Sequence, residues 1–211
     1  MTGLLLKDVL GLKRYMKQLG VALIMFVIMS IGLKSPSYFM GMFILMTSMT
    51  VLTAMTYDET AKWNKYALAM PLSKSDLAAA KYLLLIAITL GGGFLSAVIS
   101  VFMALYFKQE KPLEVFITSG AICMAALIIY SFILPAAFKL GVEKSRILIA
   151  VIFGIPAFLI IAYGNIGSDF GIPMPTENQV KLLLYASPFI AGGILYVSYL
   201  ISVRILQKKE F

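Results

Sequence analysis

Residues Tyr57–Lys81 read YDETAKWNKYALAMPLSKSDLAAAK, a polar island between two long apolar runs. The island reads as a helix, a proline corner and the start of a second helix. Asp58 and Glu59 fall where a short helix would begin, favourably placed against its dipole. Trp63, Tyr66 and Met70 follow at spacings of three and four and form one amphipathic face, opposite Lys62 and Lys65. Met70 precedes Pro71 and is biased out of the helical region, so the helix is expected to stop there. Ser73-Lys-Ser-Asp76 fits the pattern [ST]-x-x-[DE] and is expected to cap the helix that continues into the next apolar run.

Working outward, hydrophobic residues make up 61% of the 211 and charged residues only 13%, more apolar surface than a soluble core of this size can hide. The apolar residues come in six runs near bilayer length: about Leu19–Leu33, Tyr38–Tyr57, Tyr82–Phe107, Val115–Phe138, Ile147–Tyr163 and Leu182–Val203. Roughly 20 helical residues cross roughly 30 Å of hydrocarbon. Backbone polar groups cannot stay unpaired in lipid, so these runs are read as helices, and no barrel-like alternation is present. The expected fold is an all-α polytopic membrane protein with six transmembrane helices in a single domain, 1–211. Lys34-Ser-Pro36 closes the first run early.

The basic residues set the orientation. Fourteen of the 18 Lys and Arg lie before the first run, between the second and third, between the fourth and fifth, or after the sixth. Six of the ten acids share that side, so it carries the whole net charge of +8. It is therefore read as cytoplasmic, with both termini inside. The basic excess is a topology signal and a contact with anionic headgroups, not a nucleic-acid footprint. No cleavable signal peptide is evident. The lone Cys123, inside the fourth run, reads as a small packing residue.

Residues 2–18 carry Leu5, Val9, Leu12 and Met16 at helical spacing, a stripe that Leu19 continues, with Lys7, Arg14 and Lys17 largely off it. This reads as an interfacial helix over 1–18 that bends at Gly20; the alternative is a plain extension of the first span. In the third run Gly92, Ser96 and Ser100 share a face and let another helix approach closely, and a bend at Gly91-Gly92-Gly93 is an equal alternative. Pro135, Pro156 and Pro188 mark kinks in the last three runs. Met40, Met42, Met46, Met49 and Met55 read as packing. Residues 164–181, the longest outer loop, read as re-entrant or surface-lying pieces.

The absences narrow the function. The chain has no His, which removes Ser-His and Cys-His catalysis and histidine metal sites. It has no G-x-x-x-x-G-K-[ST], hence no P-loop of its own, and no cysteine pair for zinc. No Asp, Glu, Lys or Arg falls inside the six runs, where ion-coupled transporters and intramembrane proteases place one. An unionised interior suits a lipid-like or amphipathic substrate moved by helices that another machine drives. The hairpin over 58–76 is the candidate lever; the plainer alternative is a connecting helix anchored by Trp63 and Tyr66.

Asp58-Glu59-x-x-x-Trp63-x-x-Tyr66-x-x-x-x-Pro71-x-Ser73-Lys74, with Ala80-Lys81-Tyr82 leading into a span, resembles the short permease subunits of the ABC-2 transporter family. The likeness covers essentially the full length, and these subunits resemble the membrane components of bacterial exporters for bacitracin-like and amphipathic peptides. It implies a type V exporter-like half-transporter of a bacterial cytoplasmic membrane. Two such subunits would pair, as a homo- or heterodimer, each with a separate ATPase subunit that holds ATP and Mg; no cofactor is expected on this chain. By the resemblance, Asp58, Glu59, Trp63, Tyr66 and Pro71 belong to the element that touches the ATPase. The rivals are a membrane subunit of a vitamin uptake system, a secondary transporter and an intramembrane enzyme.

Overall fold

The structure, a computed structural model, describes residues 2–69, 73–108, 111–152, 154 and 177–209. These residues form helices α1 (Thr2–Leu33), α2 (Pro36–Thr60), α3 (Trp63–Ala69), α4 (Lys74–Phe107) and α5 (Pro112–Leu140). Residues 142–152 continue as α6, and α7 covers Glu177–Lys208. No strand occurs among the described residues.

Local chemistry accounts for the boundaries. α1 ends where Lys34 takes a left-handed φ of 51°, the Ser30 hydroxyl donates to the Ser35 carbonyl at 2.6 Å, and Pro36 opens α2. Pro112 likewise opens α5, where its missing N–H costs nothing. α4 opens as its sequence foretells: the Asp76 N–H donates to the Ser73 side chain at 3.1 Å, and the Asp76 carboxylate accepts from the Ser73 N–H at 3.1 Å. Both partners of the capping box are present.

Five described helices are long and apolar enough to cross a membrane: Tyr15–Leu33 of α1, α2, α4, α5 and Leu183–Lys208 of α7. The expected fifth span, Ile147–Tyr163, lies mostly outside the described residues, as do Pro156 and most of the 164–181 loop. α1 runs through Gly20 without a break in the helix, so residues 2–18 continue the first span and are not a separate element. The expected stripe also divides. Leu12 is buried, Val9 and Met16 are more than half exposed, and the packed side carries Leu4, Asp8 and Leu12.

α2 is the centre of the bundle, and its membrane segment is 61% buried against 6% for that of α1. It packs on α4 and α5, and α5 packs on α7. Leu52, Leu84, Leu85, Ile133, Leu134 and Leu206 form the main core. Met40 and Met55 are buried as expected of packing residues, whereas Met42 is exposed.

Several polar side chains within the apolar helices pair across helices, where a low-dielectric surround favours it. Ser48 and Thr89 join α2 to α4 at 3.0 Å, and the Ser119 hydroxyl donates to the Gly93 carbonyl at 3.1 Å. The Tyr82 hydroxyl meets Ser198 at 2.5 Å and Ser202 at 2.9 Å, tying α4 to α7. Gly92 lies against Thr47 of α2, where a Cβ would collide with the threonine side chain. Gly93 meets the Cys123 sulfur of α5 in the same way, while Gly91 faces open space. Ser96 and Ser100 are fully buried; Ser96 donates to the Gly93 carbonyl at 2.8 Å. Gly92 and Gly93 thus let α4 approach α2 and α5 of the same chain.

Candidate coupling site

At ~1.5 Å per residue, the 34 residues of α4 extend about 50 Å, well beyond ~30 Å of hydrocarbon. Its first turns carry its charged residues, Lys74, Asp76 and Lys81, and α3 packs against Leu77 and Ala80 there. The turn from α2 into α3 is made at Lys62, whose φ of 51° is the left-handed conformation that ends helices.

α3 is held from one side. Ala67 is buried with Leu4 of α1 and Leu77 and Ala80 of α4, and Trp63 packs against the same cluster. The Lys7 ammonium lies over the Trp63 ring, 4.5 Å from its centroid, a geometry that is attractive electrostatically as well as apolar. The Trp63 indole N–H is buried without a hydrogen-bond partner among the described residues.

At ~100° per residue Ala67 and Tyr66 lie about 40° and 60° to either side of Trp63, so the packed side takes Trp63 and Ala67 and leaves Tyr66 at its edge. Tyr66 is 64% exposed, beside exposed Lys62 and Lys65. Pro71 lies outside the described residues.

Asp58 and Glu59 belong to the last turn of α2, not to the start of a new helix. That position is unfavourable for an acid, because the carbonyl end of a helix is negative. The structure compensates for each. Glu59 accepts the Val142 N–H through both oxygens, at 3.2 and 3.3 Å, and so caps the start of α6. Gly141, at φ 91°, supplies the turn that brings Val142 there.

Asp58 enters a closed ring of four charges. Lys81 of α4 reaches Asp58 at 2.6 Å and Asp8 of α1 at 2.6 Å. Lys7 reaches Asp58 at 2.5 Å and Asp8 at 3.0 Å. The side chains of Asp8 and Lys81 are only 3% and 9% exposed. Every cation touches both anions, so the ring is neutral overall. Each contact is worth roughly 5.5–6.5 kcal/mol of gross attraction at an effective dielectric near 20. Desolvation of the ions takes back much of that, so the ring adds modest net stability but strongly penalises loss of any one member.

The ring was not foreseen from sequence, although a signal existed. Asp8 sits four residues from both Leu4 and Leu12, an acid on the packed side of an apolar helix. Such an acid requires a buried cation. The ring binds α1, α2 and α4 to one another beside the turn into α3. Among the described residues no group of His, Cys, Asp and Glu could hold a metal ion.

The family model for ABC-2 family transporter proteins matches residues 3–207, nearly the whole chain. The chain belongs to the ABC-2 transporter family. It is accordingly a multi-pass membrane protein of the permease kind, and the family implies an ATPase partner. Neither the curated proteins nor the solved structures contain a match. Within this ABC-2 permease, the hairpin between α2 and α4 offers Tyr66, Lys62 and Lys65 outward, while Asp58, Glu59 and Trp63 are engaged with their own chain.

Proposed function

We propose that the chain is the membrane-spanning permease subunit of an ATP-binding cassette exporter of the type V kind. It works as a homo- or heterodimer in a bacterial cytoplasmic membrane, with both termini and α3 on the cytoplasmic side. A separate ATPase subunit, carrying ATP and Mg, seats against the exposed side of α3. The cargo is amphipathic or hydrophobic, most simply a peptide, and moves between subunits.

The observation that carries this reading is the construction of α3. One side is exposed; the other is held by Ala67 against Leu4, Leu77 and Ala80 and by Trp63 beneath Lys7, a member of the Lys7–Asp8–Asp58–Lys81 ring that joins three long helices. A push on Tyr66 is therefore delivered to α1, α2 and α4 as a unit. An ATPase whose two states bind α3 differently can bias two arrangements of the bundle, which is what energy coupling requires.

The test is recovery of the tagged chain from its native membrane in mild detergent. A P-loop ATPase is expected with the wild-type chain and is expected to be lost from the Trp63→Ala/Tyr66→Ala chain. Absence of any ATPase from the wild-type sample would overturn the proposal.

A further inference from the structure

The faces of α5 and α7 that meet at the end bearing the C-terminus change character together along their length. On α7, Gly193, Val197, Ile201, Ile205 and Lys208 fall at spacings of four, four, four and three, with Arg204 beside them. On α5, Phe132, Pro135 and Lys139 follow at three and four. Each face is apolar at membrane depth and basic at its end.

Two grooves lie between these faces. The deeper, of about 360 Å³, is lined by Phe132, Pro135, Gly193, Val197 and Ile201 among others. The second, of about 590 Å³, is lined by Lys139, Ile201, Arg204, Ile205, Lys208 and Lys209. Ile201 lines both, so they are continuous. Among the described residues no carboxylate lines either. Lys139, Arg204 and Lys208 are exposed and make no hydrogen bond or ion pair with described residues, whereas Lys209 donates to the Phe138 carbonyl at 3.0 Å.

We infer that this groove binds one anionic phospholipid, its phosphate among Lys139, Arg204 and Lys208 and its acyl chains along Ile201, Val197 and Gly193. The dimensions match. Gly193 to Arg204 is eleven residues, about 16 Å of helix and close to half of ~30 Å of hydrocarbon, the depth of one leaflet. Basic pockets between membrane helices on the cytoplasmic side suit such headgroups. A free phosphate leaves the apolar part unfilled, and a soluble partner cannot reach it. The site is independent of cargo and of the ATPase.

The test is native mass spectrometry of the purified full chain with dioleoylphosphatidylglycerol or dioleoylphosphatidylcholine at equal concentration. The wild-type chain is expected to retain the anionic lipid preferentially. Arg204→Gln/Lys208→Gln is expected to lower its apparent affinity roughly tenfold, toward that of the neutral lipid. Lys139→Gln, on the facing helix, moves it the same way by less and keeps the test decisive should the double variant not fold. Gly193→Leu, which fills the groove without touching a charge, is expected to weaken the diacyl lipid too. Lys13→Gln/Lys17→Gln, at exposed basic positions elsewhere, leaves binding unchanged. Equal retention of both lipids, an equal loss from the Lys13/Lys17 pair, or competition by inorganic phosphate alone overturns the inference. So does unchanged lipid binding by Arg204→Gln/Lys208→Gln accompanied by loss of the ATPase, which would make the patch a protein contact.

Discussion

Replacing Lys81 by Met tests whether the charged ring holds the hairpin to the bundle. Lys81 is 9% exposed and contacts Asp8 and Asp58 at 2.6 Å each, so the substitution leaves two acids to share one lysine. Breaking a buried ion pair from one side costs about 3–5 kcal/mol. The lower end applies, because Lys7 remains within 3.0 Å of both acids and is itself 29% exposed. A loss of about 3 kcal/mol corresponds to roughly 6–12 °C in Tm for a chain of this size. The chain has one tryptophan, Trp63, seated on Lys7, so its fluorescence during thermal unfolding in detergent reports directly on the ring. Adding Asp8→Asn to Lys81→Met restores neutrality and should recover about 1 kcal/mol or more relative to the sum of the two single losses. If the single losses simply add, with coupling below about 0.5 kcal/mol, the four charges do not act as a unit and the reasoning fails.

Gly93→Ala should destabilise by roughly 1 kcal/mol or more, since its Cβ collides with the Cys123 sulfur. Cys123→Ala added to it should restore most of the loss, and Gly91→Ala, in open space, should cost nothing; thermal unfolding of the three chains checks this. Ser73→Ala removes the cap of α4 and should cost about 1 kcal/mol, read as lowered Tm and faster amide exchange over residues 73–77. Trp63→Ala should lower both stability and ATPase recovery, whereas Tyr66→Ala should lower recovery with Tm unchanged, because only Trp63 packs inward.

Most of the fold was legible because bilayer thickness and backbone hydrogen bonding leave few alternatives to long apolar helices. The Ser73–Asp76 box marked a helix start by local chemistry alone, and it is where the structure begins α4; Lys34-Ser-Pro36 marked the end of the first run, where α1 stops. Asp58 and Glu59 were misread because an acid near a helix end usually marks the positive end. Here tertiary partners from α1, α4 and α6 override the dipole, and no local pattern announces them. Of the expected face of Trp63, Tyr66 and Met70, Met70 lies outside the described residues, and the other two differ in burial: Trp63 is packed and Tyr66 is exposed. A seven-residue helix is oriented by what pins it, in this case Lys7 and the Leu4–Ala67–Leu77–Ala80 cluster, rather than by its own periodicity. Asp8 could have been singled out from its neighbours Leu4 and Leu12; its partner Lys81, 73 positions away, could not.

The central claim is that the exposed side of α3 is where the ATPase seats. The most direct measurement is photo-crosslinking in the native membrane from a benzoylphenylalanine placed at Tyr66, with Tyr106 as the matched position near the far end of α4. Tyr106 is 82% exposed, so both probes are free to react. The account predicts a crosslinked P-loop ATPase from position 66 and none from position 106. An ATPase captured equally from both, or lipid alone captured from position 66, contradicts it.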